Sequence, residues 1–169
     1  MDPSAAIQII VLIILLFGSA FFSSAETSLT TVNRIKIRSL AEEGNKRAKM
    51  VIKITDDSSR MLSAILIGNN IVNLSASSLT TTIAYNLSNG ASAIAIATGI
   101  LTLLILIFGE ITPKTAATIH AEKLALSYAY PIRFIMIILT PVSFIINVLS
   151  RGILFLLRID PDAKLNTMT

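Results

Sequence analysis

Apolar residues run almost without interruption from Ala5 to Phe22, long enough at helical rise to cross the hydrocarbon core of a bilayer. The pattern changes after Asn33. Over 34–59 the apolar positions are sparse: Ile35, Ile37 and Leu40 fall in one short stretch and Met50, Val51 and Ile54 in another, with Gly44-Asn45 between them. This predicts a helical hairpin resting on the headgroups, its Lys and Arg stems lying along the apolar boundary with the charges in water. Asp57-Ser58-Ser59 supplies an N-cap for the next helix. From Met61 to Pro113 there is no basic residue, and the only acid is Glu110. The polar patch Tyr85-Asn86-Leu87-Ser88-Asn89-Gly90 divides this stretch into two spans, Met61 to Ala84 and Ala91 to Thr112. A fourth apolar stretch, Phe134 to Ser150, is interrupted by Pro141 and flanked alike by Arg133 and Arg151. Proline breaks the helix and the matched charges give no direction of crossing, so a bent interfacial or re-entrant element is expected and not a fourth span.

The fold class expected is therefore an all-α membrane protein. It has three transmembrane helices at about 5–30, 61–84 and 91–112, a juxtamembrane hairpin at 34–59, and kinked interfacial helices over 114–158. Residues 1–159 form one membrane domain, and 160–169 are expected to be a linker to a cytosolic region outside this chain.

Composition supports a lipid setting. Of 169 residues 53% are hydrophobic and 14% charged, against about 25% charged in a soluble domain, which excludes most soluble enzymes. The net charge of +4 would ordinarily raise nucleic acid as a partner, but its location argues otherwise. Eight basic and four acidic residues lie between positions 33 and 60, and the remaining charges cancel. The excess belongs to one loop between apolar segments, as in a cytoplasmic juxtamembrane hairpin, with no interleaved aromatic platform for bases. The first 33 residues contain no Lys or Arg, so the opening run lacks the basic region of a cleavable signal. It enters with its N-terminus outside, and the C-terminus is cytoplasmic in a multi-pass protein of the cell membrane. There is no cysteine, and His120 is the only histidine, without a metal-binding companion. No GxSxG, HExxH or Walker A pattern occurs, and no enzymatic activity is expected.

Polar groups inside lipid are costly unless they face a partner or a cavity, which makes three clusters informative. In the first, Ser19, Ser23 and Glu26 are spaced i, i+4, i+7 on one helical face; close packing of small residues is the competing explanation. The second, Gly68-Asn69-Asn70-Ile71-Val72-Asn73, offers amide carbonyls that ligate a cation without adding charge, Asn69 and Asn73 one turn apart; interhelical hydrogen bonding competes equally. The third is Gly109-Glu110-Ile111-Thr112-Pro113-Lys114. Pro113 has no N–H, which leaves the Gly109 carbonyl without its helical donor beside the Glu110 carboxylate. The alternative is a helix end where Glu110 pairs with Lys114 one turn on. Together the clusters offer only oxygen, a donor set suited to magnesium, calcium or sodium and not to zinc or copper.

At these residues the chain resembles the transmembrane domain of the CorC/CorB and cyclin-M (CNNM) magnesium transporters. The ordered segments Phe22-Ser23-Ser24-Ala25-Glu26-Thr27, Gly68 to Asn73 and Gly109 to Lys114 carry the resemblance over essentially the whole chain. It implies Mg2+ near Ser23, Asn69, Asn73, Glu110 and the Gly109 carbonyl, with Ser19 a further ligand. It also implies a homodimer, export in preference to import, Na+ as a candidate coupling ion, and cytosolic CBS domains in the full-length protein. A membrane-anchored divalent-cation sensor without transport activity would need the same ligands. Ala95 and Gly99 form a small-xxx-small pair suited to a helix interface.

Overall fold

The structure is a computed structural model describing residues 3–87, 91–142, 144–146 and 148–149. The expected linker at 160–169, the end of the kinked segment at 150–158 and the tip of the turn at 88–90 lie outside the described residues.

Helix α1 spans Pro3–Thr31 and is apolar for most of its length. Asn33 then caps α2 (Arg34–Glu42), its side-chain oxygen accepting the backbone N–H groups of Ile35 and Lys36 at 3.0 and 3.2 Å. The break expected at Gly44-Asn45 is a Schellman turn. Gly44 takes φ +97°, its N–H donates to the Ala41 carbonyl at 3.1 Å, and the Asn45 N–H donates to the Leu40 carbonyl at 3.0 Å. Asn45 in turn caps α3 (Lys46–Asp56), accepting from Arg47 and Ala48. Helix α4 covers Ser58–Leu87, entered through Asp57, whose carbonyl accepts the Met61 N–H at 3.0 Å.

Helix α5 (Ala91–Leu104) passes without a break into a π-helical stretch, Ile105–Ile111, and then into α6 (Thr112–Ile119). Among the described residues three helices are long and apolar enough to cross a membrane: Ala6–Thr31, Ser58–Asn86 and Ile94–Ile119. The third helix continues through Pro113 to Ile119, seven residues past Thr112. The π-helical geometry makes the join, with the Thr112 N–H reaching back to the Ile107 carbonyl. Helix α7 (Ala121–Ile138) continues through Pro131 and meets the segment Thr140–Ile146 at a bend of 52°. The expected bent apolar element is therefore present, its break at Leu139 just ahead of Pro141.

The core lies toward one end of the bundle. Ala25 and Leu29 of α1 and Val32 just after it pack with Ile37 and Ala41 of α2, Val51 and Ile54 of α3, Met61 and Ile65 of α4, and Ala129, Ile132 and Met136 of α7. Toward the other end Ile10, Ile14, Leu74, Ile96 and Leu103 are exposed on the chain, a surface suited to lipid tails.

Candidate functional site

The site is built where α1 and α4 approach most closely. Small residues permit this: a Cβ on Gly18 would lie 3.3 Å from a methyl of Val72, and one on Gly68 would overlap the ring of Phe22. The pairs Gly18–Val72 and Phe22–Gly68 show that α1 and α4 run antiparallel. Between them lies Ser19, which is buried, and whose Oγ is 3.5 Å from Asn69 Oδ1.

The same hydroxyl is also 3.5 Å from the backbone carbonyl of Gly109, in the π-helical stretch of the third span. Gly109 is held there without a side chain, since a Cβ would sit 2.8 Å from Ser19 Oγ. One oxygen from each of three spans thus meets at Ser19. A serine hydroxyl has one proton, so it can donate to only one of two acceptors at a time, and both distances are at the long limit for a hydrogen bond. Lone pairs exceed donors at this point, which is the electrostatic condition for receiving a cation.

Ser23 and Asn73 extend the same polar strip. Ser23 Oγ and Asn73 Oδ1 are buried and have no hydrogen-bond partner among the described residues. In an antiparallel pair they fall one turn to either side of the Ser19–Asn69 contact. Helical Cα–Cβ bonds tilt toward the N-terminus, so both side chains lean back toward that contact. Burying such oxygens without a partner is unfavourable. Asn70, in the same cluster, is exposed and takes no part.

Glu110 is placed differently. Its Oε1 lies 3.3 Å from the ammonium of Lys114, one turn on, and the same ammonium is 3.4 Å from Glu26 Oε2 on α1. The carboxylate expected to complete the oxygen cluster is thus engaged by lysine, the alternative open at the level of sequence, while its neighbour Gly109 turns its carbonyl to Ser19. All three side chains remain partly exposed. No group of three or more His, Cys, Asp or Glu suited to a metal occurs among the described residues.

Sequence reasoning missed two contacts around this site. Glu26 belongs to the network of Lys114 and Glu110; its i+7 spacing from Ser19 was the available signal. Tyr128 of α7 shares a hydrogen bond with Ser24 at 2.7 Å, tying the bent C-terminal helix to α1. Nothing in the local pattern around Tyr128 announces it.

Comparison with known proteins places the chain in a family. Residues 10–169 match the family model described as the cyclin M transmembrane N-terminal domain. A UPF0053 protein of Haemophilus influenzae is 40% identical over 155 residues, covering 92% of this chain and 37% of its own length. The UPF0053 inner membrane protein YfjD of Escherichia coli is 38% identical over 144 residues, covering 85% and 33%. A more distant relative, the polyamine export protein of Haemophilus influenzae, is 28% identical over 164 residues, covering 90% and 38%. The chain thus spans about a third of the length of these relatives. With the family model matched over nearly its whole length and three spans in place, this membrane protein belongs to the cyclin M transmembrane domain family.

Proposed function

We propose that the chain is the ion-conducting domain of a Mg2+ transporter, binding the dehydrated ion between its three spans and releasing it by alternating access. The observation that carries this reading is the meeting of Ser19 Oγ, Asn69 Oδ1 and the Gly109 carbonyl, three oxygens sharing one proton. The unpartnered oxygens of Ser23 and Asn73 supply further ligands. Mg2+ prefers six oxygens at about 2.0–2.1 Å and gives up water reluctantly, so a site must offer several oxygens together. Glu110 supplies the charge by turning from Lys114 toward the Gly109 carbonyl. With one carboxylate and otherwise neutral ligands, binding is weak enough for release, as transport requires.

The resemblance to Mg2+ transporters supports the choice of ion, a homodimer, export in preference to import, and coupling to Na+. The greater length of the relatives supports further domains beyond residues 160–169, CBS domains by resemblance. The basic hairpin supports a cytoplasmic placement of α2 and α3, with the N-terminus outside.

Proteoliposomes loaded with a magnesium-sensitive dye test the reading. Wild-type protein should carry Mg2+, and more under a Na+ gradient; Glu110→Ala should abolish the flux while leaving the protein folded. Binding without flux would identify a sensor instead, and unchanged flux in Glu110→Ala would reject the site. A second cargo is favoured by one feature, an ammonium held between two carboxylates at 3.3 and 3.4 Å, which is how a polyamine terminus would be received. Labelled spermidine in the same vesicles decides between the two.

A further inference from the structure

Lys114 occupies an unusual position for a lysine near the end of a spanning helix. Its ammonium touches a carboxylate of its own segment, Glu110, and a carboxylate of the first span, Glu26, at nearly equal distances. Lysine is a compact point charge with three donors and no acceptor, so it can hold both acids without displacing any other ligand. Glu110 directly follows Gly109, whose carbonyl belongs to the oxygen cluster at Ser19. A carboxylate oxygen bound to Mg2+ at about 2.0–2.1 Å cannot keep an ammonium beside it without strong repulsion between the two cations. The arriving ion and Lys114 therefore compete for the same acid.

We propose that Lys114 is a tethered competitor that sets the ion selectivity of the site, surrendering Glu110 only to a divalent cation and retreating onto Glu26. The proposal rests on the cation site described above. A monovalent ion replacing the ammonium exchanges one positive charge for another and gains nothing at the carboxylate. A divalent ion gains one charge in the exchange. Glu26 gives the displaced ammonium a second carboxylate, so its removal leaves Lys114 committed to Glu110. Lys114 acts through Glu110 and is a positioning residue in this scheme, not a ligand.

Titration of Mg2+ into the purified full chain by calorimetry, with and without competing Na+, tests this. Lys114→Gln should tighten Mg2+ binding by about three- to fivefold, the scale of a partly exposed ion pair, and should make that binding more sensitive to Na+. Glu26→Gln should weaken binding by a similar factor. In the double variant Glu26→Gln should change the affinity of Lys114→Gln by less than about twofold, because the two residues act through one contact. Equal effects of Glu26→Gln in both backgrounds would show only a general field of charge and overturn the proposal. So would unchanged or weaker binding in Lys114→Gln that remains helical and monodisperse. Lys114→Met, which keeps the aliphatic stem, provides the same test should the glutamine variant not fold. Wild-type protein that binds no Mg2+ rejects the function proposed above, a result separable from wild-type binding with the wrong pattern among the variants.

Discussion

The end of the molecule formed by α2, α3 and α7 and the end formed by the outer halves of the three spans are built by different rules. At the first, apolar side chains from five helices interlock: Ile37, Ile54 and Ile132 are essentially inaccessible. At the second, Ile14, Leu74 and Ile96 are each more than 60% exposed on the chain. In water the second arrangement would be an aggregation hazard; in lipid it gains nothing further from side chains being buried against each other. Between the two ends, contact depends instead on close backbone approach at Gly18, Gly68 and Gly109. The candidate cation site sits where the two regimes meet, polar enough to need partners and tight enough to hold them.

Substitutions can break this comparison at either end. Ile132→Ala should lower unfolding stability by about 2–5 kcal/mol through cavity formation, whereas Leu74→Ala should be near neutral; chemical denaturation in detergent followed by circular dichroism compares them. Similar losses in both would show that the spanning end is packed as tightly as the hairpin end. Next in size is Gly68→Ala, where the new Cβ collides with the Phe22 ring and about 1–3 kcal/mol is expected from overpacking. Phe22→Leu in combination should restore part of the loss. Gly99→Ala, with open space around it, should leave the isolated chain unaffected. The smallest measurable loss belongs to Asn45→Ala, which removes the cap of α3 and should cost about 1 kcal/mol, read as a lower thermal midpoint with the spans intact.

Much of this organisation was legible because lipid makes the pattern simple. Long uncharged runs had to be spans, and Gly44-Asn45 had to be a turn, since φ +97° suits glycine and the asparagine caps α3. The helix that carries the third span runs on to Ile119, past the expected Thr112, for a local reason. Pro113 looks like a terminator in sequence, but a π-helical stretch lets the chain pass through it, and such a stretch has no simple sequence signature. In the candidate site, spacing identified Ser19, Ser23, Asn69, Asn73, Gly109 and Glu110 as residues in need of partners. It could not say that Ser19 would meet Asn69 and Gly109 while Glu110 turned to Lys114, because those choices depend on how helices distant in sequence lie against each other.

The π-helical stretch at Ile105–Ile111 has one more consequence. Such a segment carries a surplus residue relative to an α-helix, a dislocation in an otherwise regular rod. Deleting a single residue within 105–111 is absorbed by restoring ordinary winding, so Pro113, Lys114 and Ala117 keep the neighbours they face. The same deletion in the regular winding of 94–104 turns everything downstream by about 100° around the axis and shortens the rod by about 1.5 Å. The third span thus has one place where its length in residues is decoupled from the aim of its far end.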